Sequence, residues 1–352
     1  MSETSDTTEY RRLFESQLGA DLKTLERIGA GRNSRVYRLV RADGRLCLAK
    51  VYHRHKEDRR DRLGAEFGGL TFLWQNGIRA IPEPLACDPE HGFALYEYIH
   101  GDTIEPHQIR MVDIDRAVEF LVALEDLKRR PKASDLPSAS EACFTVADII
   151  SGVQQRVARL SEVPENDILA TDLHRFLNEE FTPFFERIKL WSRSRLERAG
   201  LSVNRELPLH ERTLSPSDFG FHNALRRPDG SLAFLDFEYF GWDDPAKMIV
   251  DFLFHPGMAL SMDHRKRFLD AILKHFRALG PLPARVSAVY PLFGLKWCLI
   301  LLNEFVPVDL ARRDFAGGTQ TDLEHRRADQ LAKAVNMMTE VKQRYESDSL
   351  FD

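Results

Sequence analysis

Three short segments near the start of the chain are rich in apolar or β-branched residues: Leu25 to Ile28, Val36 to Val40 and Leu46 to Val51. Gly29-Ala30-Gly31 parts the first two, and Asp43-Gly44 supplies a hairpin turn between the second and third. This pattern predicts antiparallel strands. From Arg59 to Gln75 the period changes. Leu63, Phe67, Leu70 and Leu73-Trp74 recur at helical spacing, and Asn76-Gly77 stops the run. Pro82 and Pro84 bracket an extended connection, and Phe93 to Ile99 reads as a further strand. After His100-Gly101 helical patterns dominate. They run over Asp113 to Arg129, Phe144 to Leu160, Leu173 to Arg198, Asp263 to Leu279, Ser287 to Glu304 and Asp322 to Tyr345. A polar loop, Lys132 to Ser140, and two strand-like pieces, Arg212 to Leu214 and Leu232 to Phe237, interrupt them. The prediction is α+β: a small antiparallel-sheet lobe with one main helix, then a large, mainly helical lobe. The division expected is 1–20 as an N-terminal extension, 21–99 as the first lobe and 100–352 as the second. The ends, Met1 to Glu9 and Glu346 to Asp352, read as frayed.

Composition narrows the classes of function. A chain of 352 residues can bury one large or two medium cores. Its apolar content of 43% and charged content of 29% are ordinary for a soluble globular protein. A net charge of -5 gives no basic footprint, so nucleic acid is not an expected partner. Cys47, Cys87, Cys143 and Cys298 are scattered and show no zinc or redox spacing. The polar, acidic stretch Met1 to Thr8 has no secretory core. Both points fit a reducing compartment and a cytoplasmic location. No stretch is read as reaching the roughly 18 apolar residues of a membrane span, so no membrane partner is expected. Trp297 to Leu302, the most apolar run, reads as a buried helix. A monomer or homodimer is expected.

Candidate chemistry comes from an ordered set of polar residues. Ile28 to Tyr37 is a strand-turn-strand loop in which Gly29, Gly31 and Ser34 let backbone N–H groups approach phosphates. An ordinary hairpin carries the same signal. Lys50 lies inside an apolar strand and needs a partner, for which Glu66 on the next helix is the natural choice. A lysine on an edge strand is the competing reading. Asp218 and Asn223 stand five positions apart in Ser215 to Asn223, and Asp236 follows the apolar run Leu232 to Leu235. Kinase-type phosphoryl transfer uses this kind of order: Asp218 as base, Asn223 and Asp236 as hard-oxygen ligands for magnesium, Lys50 and Glu66 for the phosphates. Other residues carry weaker signals. His53 and His55 sit in a cationic loop unsuited to metal. Tyr239 and Trp242 are core or pocket aromatics, and Trp297, Asn303 and Glu304 are candidates to face an acceptor.

On these motifs the chain resembles the aminoglycoside phosphotransferase and choline kinase-like family of small-molecule kinases, from Leu25 to Leu253. The likeness is strongest at Leu25 to Tyr37, Leu46 to Lys50, Phe93 to Thr103 and Leu214 to Asp244. The resemblance implies a two-lobed protein kinase-like fold, ATP and Mg2+ as cofactors, and a small-molecule hydroxyl as acceptor, on an amino alcohol, sugar or aminoglycoside. It also implies that Phe93 to Gly101 is a hinge where the backbone at Glu97, Tyr98 and Ile99 pairs with adenine. Leu235 to Pro245 would be the metal-binding segment, with Glu238 near the metals, and Asp244-Pro245 a helix start. The chain departs from the family at three places. Pro216 and Gly220 stand where histidines are usual or frequent around the catalytic Asp. Met248 replaces an Asp, for which Asp251 is the substitute. The short interval from Asp236 to Asp244-Pro245, with no Ala-Pro-Glu after it, leaves no room for a peptide-docking activation segment. A nucleotide-binding scaffold is the alternative, supported by Pro216 and Gly220 alone.

Overall fold

The computed structural model describes residues 3–30, 34–53, 60–306 and 323–347. Five antiparallel strands form the first sheet: β1 (Leu22–Ala30), β2 (Ser34–Arg41), β3 (Leu46–Tyr52), β4 (Pro84–Asp88) and β5 (Phe93–Glu97), in the order β1-β2-β3-β5-β4. The extended connection predicted around Pro84 is thus an edge strand, with its proline at the first position, where the missing N–H costs no ladder bond. The predicted strand Phe93 to Ile99 ends at Glu97.

Side chains alternate faces along a strand, and that alternation organises this half of the molecule. Cys47, Ala49 and Val51 of β3 point with Phe93 and Leu95 of β5 into one buried cluster. A helix covers that face: α1 (Glu3–Leu18) sets the fully buried Phe14 ring 4.9 Å from Phe93. This corrects the expectation of a frayed segment up to Glu9. The opposite face carries Leu48, Lys50 and Tyr52, with Ala94 and Tyr96, and α2 (Arg62–Gln75) packs there through Leu63, Leu70, Phe72 and Leu73. Asp61 caps α2 by accepting from the Gly64 N–H at 2.9 Å. Gly77, at φ +90°, follows its last turn.

The second half is mainly helical: α3 (Met111–Leu127), α4 (Val146–Ser161), α5 (Ile168–Arg175), α6 (Thr182–Arg198), α7 (Pro245–Phe254), α8 (Met262–His275), α9 (Leu282–Leu301) and α10 (Leu323–Ser347). The single helix expected over Leu173 to Arg198 starts at Ile168 and passes through a π-helical turn, Phe176–Phe181, before α6. Pro183 follows that turn and lacks the N–H that regular pairing needs. The segment Leu282–Phe305 has the length and mean hydropathy (1.5) of a membrane span, contrary to the sequence reading. Yet 78% of that window is buried inside the protein, so it is also the core helix of the fold.

Two small sheets lie between the helices. β6 (Asp102–Thr103), β8 (Ala224–Arg226) and β9 (Leu232–Phe234) form one, and β7 (Thr213–Ser215) with β10 (Gly241–Asp243) the other. The strand expected to reach Phe237 stops at Phe234. Leu235 turns to donate its N–H to the Asn223 carbonyl at 2.8 Å, and Asp236 takes φ +64°.

Candidate active site

Lys50 occupies the α2-facing parity of β3, and this alone aims its ammonium at Glu66. The Nζ–Oε2 distance is 2.7 Å. The same Nζ lies 2.5 Å from Asp236 Oδ1 and 4.0 Å from Glu238 Oε2. Burial by itself would drive the Lys50 ammonium down; the carboxylates of Asp236, Glu66 and Glu238 outweigh it and hold the group well above its ordinary value. Glu66 is held from two further directions. Tyr52 Oη donates to it at 2.8 Å and is itself 2.8 Å from Tyr96 Oη, while the Phe237 N–H reaches Oε1 at 3.3 Å. One carboxylate therefore ties β3, β5 and the segment after β9 together. Glu238 is buried, with Arg62 Nε 3.7 Å from its Oε1. Burial and the neighbouring Asp236 push its pKa up.

Asp218 sits on the turn after β7. Ser217 before it adopts φ +69°, a left-handed conformation that costs an L-residue about 1–2 kcal/mol. Two contacts hold that turn: the Ser217 N–H donates to Ser215 Oγ at 3.0 Å, and Lys247 Nζ donates to Ser217 Oγ at 3.0 Å. Lys247 is buried on α7 and also bonds Asp243 (2.7 Å) and Asp251 (3.2 Å). Asp244 caps α7 through the Ala246 N–H, with Pro245 as first helical residue, as the sequence predicted. Arg285 fixes that cap at 2.7 Å. Asn223 Nδ2 donates to the Asp218 carbonyl at 3.0 Å, and the Asn223 carbonyl receives the Leu235 N–H. Asp218 and Asn223 are thus bonded to each other, and Asn223 holds Leu235, the neighbour of Asp236.

Two histidines flank Asp218. His222 Nε2 is 3.2 Å and His255 Nε2 3.3 Å from the same Oδ1. Burial works against ionising Asp218, but these contacts prevail and hold its carboxyl well below the usual carboxylate range. Burial holds His255 below its ordinary value. Sequence reasoning gave His222 no role beyond its place directly before Asn223, and it missed His255. That residue is distant in the chain and carries no local motif; its only signal is its place directly after the apolar α7.

The remaining predicted residues are distributed as follows. Gly29 lies in β1 opposite Val36, and Ser34, almost fully buried, opens β2. Gly31 and His55 fall outside the described residues. Glu97 closes β5 and donates its N–H to the Glu83 carbonyl at 2.8 Å; Tyr98 and the buried Ile99 follow it. Trp242 is a core residue whose indole N–H donates to the Ala133 carbonyl at 2.9 Å. Tyr239 lies beneath Arg60, 5.9 Å from ring centre to guanidinium. Trp297 donates to Asp251 at 3.0 Å and sets its edge on His255. Arg159 donates to Asn303 Oδ1 at 2.7 Å, and Glu304 is buried. Close to these, Glu141 gathers Arg156 (3.2 Å), Lys296 (3.4 Å) and Arg60 (3.8 Å). Partial burial opposes its ionisation, but the cations led by Lys296 bring its pKa down to about 2.

The chain is similar to choline kinase LicA from Streptococcus pneumoniae, with 15% identity, a TM-score of 0.58, and coverage of 96% of this chain and 99% of that one. It is similar to a spectinomycin phosphotransferase solved with ADP and spectinomycin, at 13% identity and a TM-score of 0.62, covering 96% of this chain and 98% of the other. A Plasmodium vivax ethanolamine kinase aligns at 14% identity and a TM-score of 0.59, over 95% of this chain and 89% of its own. At such identities the likeness shows the fold, which is protein kinase-like. No curated protein sequence matches significantly. Residues 24–289 match the model of the phosphotransferase enzyme family, which is well over half the chain, and the protein belongs to that family.

Proposed function

We propose that the protein transfers the γ-phosphoryl group of ATP to a hydroxyl of a small molecule, with Mg2+ as cofactor. The observation that carries this reading is the bonded series Glu66–Lys50–Asp236, with Lys50 Nζ 2.7 Å from one carboxylate and 2.5 Å from the other. A buried lysine held between two acids of different elements is costly for a merely structural purpose. It suits a group that must meet phosphates in a fixed orientation. In this reading 21–99 forms the nucleotide-binding lobe, with Gly29 and Ser34 over the phosphates and Glu97, Tyr98 and Ile99 beside the base. The region 100–352 supplies the catalytic and metal loops and the acceptor site. Asp236 and Asn223 offer hard oxygen donors, and Asp236 already engages a cation through Lys50, which fits a magnesium site. Glu238 supports that site from its buried position. When bound, the metal would neutralise charge on the phosphate oxygens. Asp218 orients the acceptor hydroxyl and takes its proton. Four free cysteines are consistent with work in a reducing cytoplasm.

The test is phosphate transfer from MgATP across a panel of amino alcohols, sugars and aminoglycosides. Asp218→Asn is expected to lower kcat by about 10²–10⁴-fold while sparing nucleotide affinity. Asp236→Ala is expected to abolish the metal dependence of nucleotide binding measured by calorimetry. Magnesium-independent nucleotide binding, with no turnover on any acceptor, would sink the proposal and leave a scaffold.

A further inference from the structure

Both histidines beside Asp218 present the same ring nitrogen to the same oxygen. Their rings are parallel within 3° and 3.7 Å apart. His255 Nδ1 accepts the Gly257 N–H at 3.1 Å, so the proton of the neutral ring sits on Nε2, 3.3 Å from Asp218 Oδ1. His222 Nδ1 is buried without a partner among the described residues. A buried N–H there would be costly, so Nε2 again carries the proton. The three groups have the residue types of a metal site. Parallel rings, however, send their in-plane lone pairs side by side rather than to one point, which suits two donors on a carboxylate better than a shared ion.

The surroundings are shaped to this pair. A Cβ at Gly220 would lie 2.8 Å from His222 Nδ1 and 2.5 Å from Met258 Sδ, so the His222 ring excludes any side chain there. A Cβ at Gly257 would press on the His255 ring at 3.1 Å. Trp297 packs against His255 nearly perpendicular to it, 4.6 Å between ring centres.

We infer that His222 and His255 are positioning residues: they clamp Oδ1 of Asp218 and leave Oδ2 as the one oxygen offered to the acceptor hydroxyl. This rests on the proposed role of Asp218 as base. The clamp acts on turnover rather than on nucleotide binding, because neither ring belongs to the Lys50 unit.

The experiment uses the full chain with MgATP and water as acceptor, so that no acceptor need be known. His255→Phe keeps a ring against His222 and Trp297 but removes the donor. His255→Gln returns a donor at a similar reach without the ring. The expected result is a fall in kcat of about 10²-fold for Phe, with KM for ATP unchanged, and recovery of most of that loss by Gln. Unchanged turnover in the Phe variant, or an equal loss in both, overturns the clamp. Imidazole 15N spectra separate its failure from failure of the phosphotransfer reading. The clamp requires Nε2–H on both rings and a change in both signals in Asp218→Asn. An Nδ1–H tautomer at His255 overturns the clamp even in an enzyme that turns over normally. Absence of MgATP turnover with water and with the whole acceptor panel, in a protein showing the expected spectra, overturns the base role of Asp218, and the clamp with it.

Discussion

Glu141 shows how a single side chain can set a pH limit. Three cations pair with it, and together with the nearby Lys247 they draw its pKa from the ordinary 4.5 to about 2. A carboxyl whose folded pKa is depressed binds fewer protons when folded than when unfolded. Its contribution to stability is complete above the unfolded value and vanishes as pH falls through the folded one. Glu141→Gln should therefore melt lower than the parent near neutral pH. The gap should narrow as pH drops from 4.5 towards 2, as followed by thermal melts across that range. A gap that stays constant with pH would mean that packing, not charge, sets the difference. Lys50, Glu66, Asp218, Asn223 and Asp236 were legible in the sequence because each pairs an unusual setting with a fixed order. Glu141 was not legible, since its partners Arg60, Arg156 and Lys296 come from three distant segments. His255 was hidden for the same reason. Its meaning is a distance to Asp218, and a sequence holds no distances.

Among the elements, α2 is tightly constrained. It carries Glu66 and lies against Phe240 at Gly69, where a Cβ would fall 2.4 Å from the ring. That ring is buried and cannot swing clear. Gly69→Ala should force α2 away from the segment after β9, destabilising the fold by about 1–3 kcal/mol in denaturant melts. It should also weaken the 2.7 Å Lys50–Glu66 contact, and so raise KM for ATP. Retained stability together with unchanged KM would show that the helix can shift without consequence. The helical period of α2 was plain in the sequence, but the reason for its glycine was not, because Phe240 belongs to another part of the chain. The same gap explains α1. Its apolar residues are few, and only the sheet face that receives Phe14 makes sense of them.

Across the whole molecule, the two-lobed plan followed from a change of hydrophobic period near Ile99, since strands and helices each impose their own spacing. Boundaries that depend on tertiary partners escaped that logic: the edge strand beginning at Pro84, the π-helical turn before Thr182 and the early stop of β9. The bond between Lys50 on the sheet and Asp236 on the helical side spans the division between the halves. It acts as an electrostatic latch. The carboxylate that a divalent ion would need is already neutralised, so a bare ion must compete with an ammonium for it. On the proposed function, a nucleotide arriving with its own ion would offer phosphates to Lys50 while the ion met Asp236. The Lys50–Asp236 pair should accordingly be opened by the ion and nucleotide together. Calorimetric titration with MgCl2 alone is expected to give no saturable heat, and titration with ADP present to give a clear isotherm. Saturable binding of Mg2+ by itself would mean that the latch opens without its key.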